Sequence, residues 1–160
     1  MQQRTYNPSP LFLKKIYITN SASETKKIGE KLAKNILRNK KNKEAFVLGL
    51  RGELGGGKTT FLQGFAKGLG INEKILSPTF IIIRKYELRT KNYKFFYHID
   101  CYRVEEEKEI LDLGVKDILK SPWNIIAIEW PERIKKVVPK NTLNLTFLIL
   151  NKQKRKIIVK

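Results

Sequence analysis

One stretch of eight residues limits what this chain can fold into more than any other. Residues 52–59, with the sequence GELGGGKT, match the phosphate-binding pattern G-x-x-x-x-G-K-[ST] at every fixed position. That pattern works where a buried strand ends and a helix begins. The apolar run at 45–50 predicts the strand, and large apolar residues recur at helical spacing over 61–69. The sequence therefore predicts a strand, a glycine loop and a helix in direct succession.

This loop contains the residues that binding a nucleotide's phosphates requires. Its glycines let successive backbone N–H groups turn toward one anion, and the helix that follows adds unpaired N–H groups and the positive end of its dipole. Lys58 supplies a cation for the β- and γ-phosphates, and the hydroxyl of Thr59 can ligate Mg²⁺. A chance glycine-rich turn would lack the flanking strand and helix, so we expect phosphate binding.

Hydrophobic periodicity places further strands and helices around the loop. Strands are predicted at 15–19, 45–50, 80–88, 93–100, 124–129, 143–150 and 156–159, and helices at 21–37, 60–69, 105–111, 115–119 and 131–138. The two fully apolar strands, 45–50 and 124–129, are natural neighbours in a parallel core, and 80–88 pairs with 93–100 as an antiparallel hairpin. The predicted fold class is therefore α/β, with a mixed sheet.

Length and composition are typical of one globular domain. The chain has 160 residues, and we assign 15–160 to a single domain after a loose lead-in at 1–14. No apolar run approaches the length that spans a membrane, and the block at 11–13 is too short for a signal peptide. Cys101 is the sole cysteine, which agrees with a reducing compartment. We therefore expect a cytoplasmic protein without membrane contact.

The chain is strongly basic, with a formal net charge of +18, and 25 of its 33 basic residues are lysine. One interpretation is attraction to nucleic acid or another polyanion. The other is a compositional bias toward Lys, Asn and Ile that is spread over solvated surfaces. The second interpretation is supported by the scatter of the charges and by the scarcity of arginine, which base-reading surfaces favour. The sequence leaves both open.

Three segments outside the loop could complete a phosphate site. Glu129 ends a hydrophobic strand, at the edge where ligands of open α/β sheets bind, so it could ligate Mg²⁺ or orient water. His98 and Asp100 share one face of their strand. Asp100 could bind metal or water and Arg103 could meet phosphate, but a structural His–Asp pair with an arginine salt bridge explains the pattern equally well. The hydroxyls at 77–79 could sense the γ-phosphate, or this segment could be an ordinary proline turn.

Taken in series, four motifs resemble one family. They are LGGGKTT at 54–60, SPTF at 77–80, HIDCYR at 98–103 and EWPE at 129–132, and their order and approximate spacing resemble the TsaE family, also called the YjeE type. These are the bacterial ATPases of tRNA threonylcarbamoyladenosine biosynthesis. The similarity runs from about Ser21 to Glu132, and the tail carries no diagnostic residues. Gly56 stands where the family commonly has Ala, and both residues are small.

The resemblance implies a three-layer P-loop NTPase-like domain that hydrolyses ATP with Mg²⁺. It implies that the protein resets a complex of TsaB and TsaD, which modifies the adenosine beside the tRNA anticodon, and that it reaches tRNA through that complex. By resemblance Lys58, Thr60, Asp100 and Glu129 are catalytic, and Thr59 and Glu129 hold Mg²⁺. The implied nucleotide contacts are Ala22, Thr25, Leu54, Gly55, Gly56, Gly57, Lys58, Thr59, Thr60, Thr79 and Trp130.

Two other functions fit parts of the same sequence. A small P-loop kinase would need an acceptor pocket and usually an arginine-bearing lid, yet only 8 arginines are present and no segment is rich in them. A basic RNA-binding module that uses ATP as a switch would account for the charge. A GTPase is disfavoured because the guanine-reading motif Asn-Lys-x-Asp does not occur.

Overall fold

A computed structural model of the chain describes residues 14–39 and 43–160. The strands are β1 (Lys15–Thr19), β2 (Phe46–Arg51), β3 (Ile83–Glu87), β4 (Phe95–Asp100), β5 (Asn124–Glu129), β6 (Leu143–Ile149) and β7 (Arg155–Val159). The helices are α1 (Ala22–Arg38), α2 (Lys58–Gly68), α3 (Glu107–Asp112) and α4 (Val115–Lys120), with a 3-10 helix at Pro131–Ile134. Most of the predicted lead-in at 1–14 and part of the predicted loop at 39–43 lie outside the described residues.

The strands form one mixed sheet in the order β1-β7-β6-β2-β5-β4-β3. Strand β2 lies between β5 and β6 and is parallel to both, and β4 is parallel to β5. Strands β3 and β7 run antiparallel to their neighbours. The parallel core and the antiparallel pair of β3 and β4 confirm the predicted α/β class, and the carboxyl ends of β2, β4 and β5 meet at one edge.

Helices cover both faces of this sheet because its central strands are apolar on both sides. On one face Leu48 packs with Phe65 of α2 in the larger core, which also includes residues of α1. On the other face Val47 packs in a second core with Ile110 of α3 and with residues of α4. This arrangement confirms the predicted three layers. In the part of the chain that is described, no helix combines the length and apolar character needed to cross a bilayer.

Helices α1 and α2 approach each other so closely that only glycine fits between them. A Cβ atom on Gly64 would lie 1.9 Å from the carbonyl oxygen of Lys26, and one on Gly29 would lie 2.3 Å from that of Phe61. Both distances are far shorter than van der Waals contact, so a side chain at either position would force the helices apart. The packing thereby fixes the distance between the two helices.

Two predicted elements differ most from the structure. The strand predicted at 80–88 begins only at Ile83, because the carbonyl of Pro78 accepts hydrogen bonds from the N–H groups of Ile81 and Ile82 and closes a tight turn. Ile82 has a φ of 63°, in the left-handed region that β-branched residues rarely adopt. The strand prediction for 80–82 is therefore wrong, because a run of apolar residues does not reveal a local turn.

The helix predicted at 131–138 is likewise only the 3-10 helix Pro131–Ile134 followed by a turn. In the 3-10 helix Arg133 N donates to the carbonyl of Trp130, three residues earlier. In the turn that follows, Val137 N and Val138 N both donate to the carbonyl of Ile134. Ile134 is fully buried in the second core, which explains the helix-like spacing of apolar residues. Over so few residues, that spacing does not distinguish a 3-10 turn from an α-helix.

Candidate nucleotide site

A cleft of about 640 Å³ lies at the carboxyl ends of the central strands, beside the start of α2. The residues that the family resemblance implied as catalytic, nucleotide-binding or metal-binding all line it: Ala22, Thr25, Leu54, Gly55, Gly56, Gly57, Lys58, Thr59, Thr60, Thr79, Asp100, Glu129 and Trp130. The lining also includes Ser77, from the hydroxyl segment at 77–79, and residues that were not suggested: Asn20, Ser21, Tyr102, Lys152, Gln153 and Arg155. The chain thus brings together segments that are more than a hundred residues apart in the sequence.

The glycine loop leaves the start of α2 open to the cleft. Gly57 precedes the helix with a φ of 102°, and no side chain caps the helix N-terminus. The first turn of a helix has backbone N–H groups without intrahelical partners, so this end presents donors to an anion. Gly55 also has a positive φ, of 74°, and both conformations strongly favour glycine. The loop therefore has the form of a phosphate cradle.

Lys58 is buried at the base of the cleft. Its ammonium group donates hydrogen bonds to the carbonyls of Gly52 and Glu53, the second at 3.0 Å, and lies 4.4 Å from the centre of the Trp130 ring. Burial lowers the pKa of this ammonium, and the carboxylates of Glu129, Glu132 and Asp100 oppose that shift. A cation held near carbonyls and an aromatic face, in a cleft lined by carboxylates, is suited to exchange these contacts for phosphate oxygens.

Glu129 lies at the end of β5 and is buried against a histidine. Its Oε1 atom is 2.7 Å from Nε2 of His98 on the neighbouring strand β4. His98 is fully buried, and its Nδ1 atom has no hydrogen-bond partner among the described residues. The contact fixes one oxygen of the Glu129 carboxylate and leaves the other for the cleft. A His98–Asp100 pair, one of the sequence alternatives, is not what forms.

Asp100 connects the cleft to the segment at 77–79. Its Oδ2 atom accepts hydrogen bonds from Ser77 Oγ at 2.7 Å and Thr79 Oγ1 at 2.8 Å, and its Oδ1 atom accepts one from Tyr102 N at 2.9 Å. The two hydroxyls are also 2.8 Å from each other. Asp100 is thereby held by three donors, and any ligand that competes for its oxygens would also disturb the hydroxyl segment.

The start of α1 forms a second wall of the cleft. Ser21 caps this helix, and its hydroxyl accepts a hydrogen bond from Glu24 N at 3.2 Å. The Thr25 hydroxyl lies 2.9 Å from that of Thr19 at the end of β1. A Cβ atom on Gly57 would lie 3.8 Å from the Thr25 methyl carbon, so this wall adjoins the glycine loop.

The turn between β6 and β7 forms a third wall, which sequence reasoning missed. Arg155 donates hydrogen bonds to the carbonyl of Gly55 from Nη2 at 3.1 Å and from Nε at 3.3 Å. Lys152 and Gln153 of the same turn also line the cleft. The basic composition of the tail was the available signal, but scattered lysines elsewhere concealed it. Arg103, which the sequence offered as a phosphate contact, instead lies over the ring of Phe80.

The residues present suit a magnesium–nucleotide pair better than a metal held by protein alone. Within residues 14–39 and 43–160, no group of three or more His, Cys, Asp or Glu side chains is placed to hold a metal ion. Mg²⁺ in nucleotide enzymes is commonly held by one or two protein oxygens together with phosphate oxygens and waters. The Thr59 hydroxyl and the Glu129 carboxylate, both in the cleft wall, are oxygen donors of the required kind.

A glycine loop between a parallel strand and an uncapped helix, with acidic residues on the neighbouring strands, defines a P-loop α/β domain. The family model described as "Threonylcarbamoyl adenosine biosynthesis protein TsaE" matches residues 19–157. Because the match covers most of the chain, this protein belongs to the TsaE family.

Similar proteins agree with that membership. The chain is 32% identical over 142 residues to the tRNA threonylcarbamoyladenosine biosynthesis protein TsaE of Treponema pallidum, covering 89% of this chain and 97% of that protein. It is 35% identical over 139 residues to the protein of the same name from Rickettsia felis, covering 86% and 75%. The crystal structure of Bacillus subtilis YdiB aligns with a TM-score of 0.72 and 28% identity, covering 92% of this chain and 84% of YdiB.

Proposed function

We propose that this protein is a Mg²⁺-dependent ATPase of tRNA threonylcarbamoyladenosine biosynthesis, and that its ATP binding and hydrolysis reset a complex of TsaB and TsaD. The observation that carries the proposal is the position of the uncapped α2 N-terminus, Lys58, Asp100 and Glu129 around one cleft. The printed names of the family and of its relatives support the pathway.

Binding would rest on the glycine loop and on Lys58. The backbone N–H groups at the start of α2 would donate to phosphate oxygens, and Lys58 would exchange the carbonyls of Gly52 and Glu53 for phosphate. The walls at 20–25 and 152–155 would enclose the rest of the nucleotide.

Hydrolysis would rest on the two acidic residues. Mg²⁺, when bound, neutralises phosphate charge, and Thr59 and Glu129 would hold it, with His98 keeping the Glu129 carboxylate in place. Asp100, at the end of the adjacent strand, would orient the attacking water with help from Thr60. Ser77 and Thr79, which donate to Asp100, would respond when its oxygens change partners.

The other chemically capable side chains support hydrolysis over covalent group transfer by this chain. Cys101 is fully buried, and burial raises its pKa to about 12, so it is not a thiolate at neutral pH. His98 is occupied by Glu129. A protein whose reactive groups surround a nucleotide cleft is suited to convert ATP hydrolysis into a conformational change in a partner.

Replacing Lys58 tests the nucleotide site. We expect Lys58→Ala to weaken ATP affinity roughly 30-fold, since a hydrogen-bonded charge is worth about 2 kcal/mol. Lys67→Ala is the matched control, because Lys67 lies on the same helix with its side chain 76% exposed to solvent. Titration calorimetry of both variants, each verified as folded by circular dichroism, provides the comparison. Equal ATP affinity in Lys58→Ala and Lys67→Ala would refute the P-loop assignment.

Reconstitution tests the role in the pathway. With purified TsaB, TsaD and tRNA, we expect this protein to hydrolyse ATP slowly alone and faster with the complex. We also expect multiple-turnover tRNA modification to need it and to fail with Lys58→Ala. If modification cycles equally well without the protein, the pathway assignment is wrong even where the ATP site is right.

A further inference from the structure

Three large apolar side chains are exposed together beside the nucleotide cleft. Phe80 is 82% exposed, Ile81 is 54% exposed and Leu76 is 50% exposed, all within six residues. None of the three lines the cleft. With Arg103, whose guanidinium lies 4.4 Å from the centre of the Phe80 ring, they form what we call the Phe80 patch. Exposed apolar residues that cluster in this way are typical of a surface that contacts another protein.

The Phe80 patch is physically connected to the cleft. Ser77 and Thr79, which stand between Leu76 and Phe80, donate hydrogen bonds to Asp100. On the other side of the patch, the carbonyl of Ile82 accepts a hydrogen bond from Asp100 N at 2.9 Å. The segment is therefore attached to one cleft residue on both sides of its exposed tip.

The same segment holds backbone strain. Ile82 keeps a φ of 63°, and this conformation costs a β-branched residue free energy that the surrounding contacts must offset. Residues 72–82 form no helix or strand that would oppose a rearrangement. A change in the ligands of Asp100 is therefore suited to alter how the patch is presented.

Charge indicates what kind of partner the patch accepts. Arg103 is exposed, and in the described part of the chain no carboxylate forms an ion pair with it. A guanidinium stacked on an aromatic ring keeps its N–H donors free for a carboxylate. The aliphatic side chains of Leu76 and Ile81 favour a protein pocket over nucleic acid, since bases stack on aromatic faces and gain little from branched aliphatic neighbours.

We propose that the Phe80 patch is the surface through which this protein docks on its protein partner, with Phe80 inserted in an apolar pocket and Arg103 paired with a carboxylate at the pocket rim. The proposal rests on the proposed function, because it places the nucleotide-responsive contact with the TsaB–TsaD complex at this patch. The bonds from Ser77 and Thr79 to Asp100 make the docking sensitive to the nucleotide.

A double variant with a matched control tests the patch. Phe80→Ala with Ile81→Ala removes its centre, and Ile16→Ala with Ile18→Ala is the control. Ile16 and Ile18 are 53% and 50% exposed on β1, at the opposite edge of the sheet from β3. Affinity for purified TsaB–TsaD is measured by biolayer interferometry with saturating ATP and Mg²⁺, and ATP affinity by calorimetry. Because the core of an interface supplies most of its free energy, we expect the patch variant to bind the complex at least about tenfold more weakly. We expect the control to bind like the wild type, and both variants to keep wild-type ATP affinity.

A charge variant and two further assays complete the test. Arg103→Glu should also weaken binding about tenfold, since it places like charges together at the rim. If the wild type binds TsaB–TsaD and the patch variant binds equally well, the patch proposal is wrong while the proposed function stands. If the wild type does not bind the complex at all, the proposed partner is wrong and the docking proposal fails with it. The two further assays are tRNA binding and sedimentation of the wild type and the patch variant. If the patch variant loses only tRNA binding, the docking proposal is overturned in favour of RNA. If the wild type is a dimer and the patch variant is not, the proposal is overturned in favour of a second copy of this chain.

Discussion

Replacing His98 should destabilise the fold through Glu129. His98 is fully buried and Glu129 is 3% exposed, with a 2.7 Å contact between them. His98→Ala would leave a buried carboxylate without its hydrogen-bond partner and would open a cavity of the size of an imidazole ring. Breaking a buried pair in this way costs about 3–5 kcal/mol. Because Glu129 lines the cleft, its carboxylate can regain some water in the variant. We therefore expect a loss in the free energy of unfolding at the lower end of that range, about 3 kcal/mol.

This free energy corresponds to a large shift in melting temperature. For a domain of this size, 1 kcal/mol changes the melting temperature by about 2–4 °C, so His98→Ala should melt roughly 6–12 °C lower. Differential scanning calorimetry at neutral pH measures the shift, and urea unfolding checks the free energy independently. His98→Gln is the conservative control, since its amide nitrogen can still donate to Glu129, and it should retain most of the stability.

A double-mutant cycle separates the pair from the cavity. In a Glu129→Ala background no buried carboxylate loses its hydrogen-bond partner. His98→Ala should then lower the free energy of unfolding only by the cost of the cavity. If His98→Ala costs the same with and without Glu129, or shifts the melting temperature by less than about 2 °C, the reasoning about the buried pair is refuted.

Three further predictions follow from single features. Glu129→Ala and Asp100→Ala should each lower ATP turnover with TsaB–TsaD by at least ~10²-fold, the usual scale for a lost positioning group, and normal turnover in both would refute their roles. Gly64→Ala should destabilise the fold by about 3 kcal/mol in urea unfolding, because its Cβ would overlap the carbonyl of Lys26; an unchanged midpoint would contradict the α1–α2 packing. Cys101 should resist a thiol reagent such as DTNB at pH 8 in the folded protein and react in urea. The cause is burial, which raises the pKa of the thiol and keeps it protonated well above that pH. Rapid labelling of the native state would disprove this.

Local sequence was enough for the central elements of the fold. Strands β2 and β5 are centred on uninterrupted apolar runs, at 46–50 and 125–128, and such runs favour strands buried on both faces. The glycine loop needs positive φ at Gly55 and Gly57, and glycine alone adopts such angles without strain. The residues of each motif lie close together in the chain, so their patterns could be interpreted without knowing the fold.

Short apolar segments were the places where local sequence misled. Residues 80–82 continue the apolar run of β3, yet the turn closed by Pro78 and the left-handed backbone of Ile82 separate them from the strand. Residues 131–138 show helical spacing, yet form a 3-10 helix and a turn that bury Ile134. In both segments the backbone hydrogen bonds determine the local structure. The hydrophobicity of the side chains does not indicate where those bonds form.

The sequence by itself determined the phosphate loop, the class of fold and most of the residues that gather at the cleft, but not those of the turn between β6 and β7. Only the tertiary structure decided their partners. It paired His98 with Glu129 across two strands, gave Asp100 the hydroxyls of Ser77 and Thr79, and brought Arg155 to a loop carbonyl a hundred residues away. The physical reason is that the sequence directly specifies a residue's chemical type and its spacing from neighbouring residues. The contacts of that residue depend instead on strand order and on the packing of helices across the sheet.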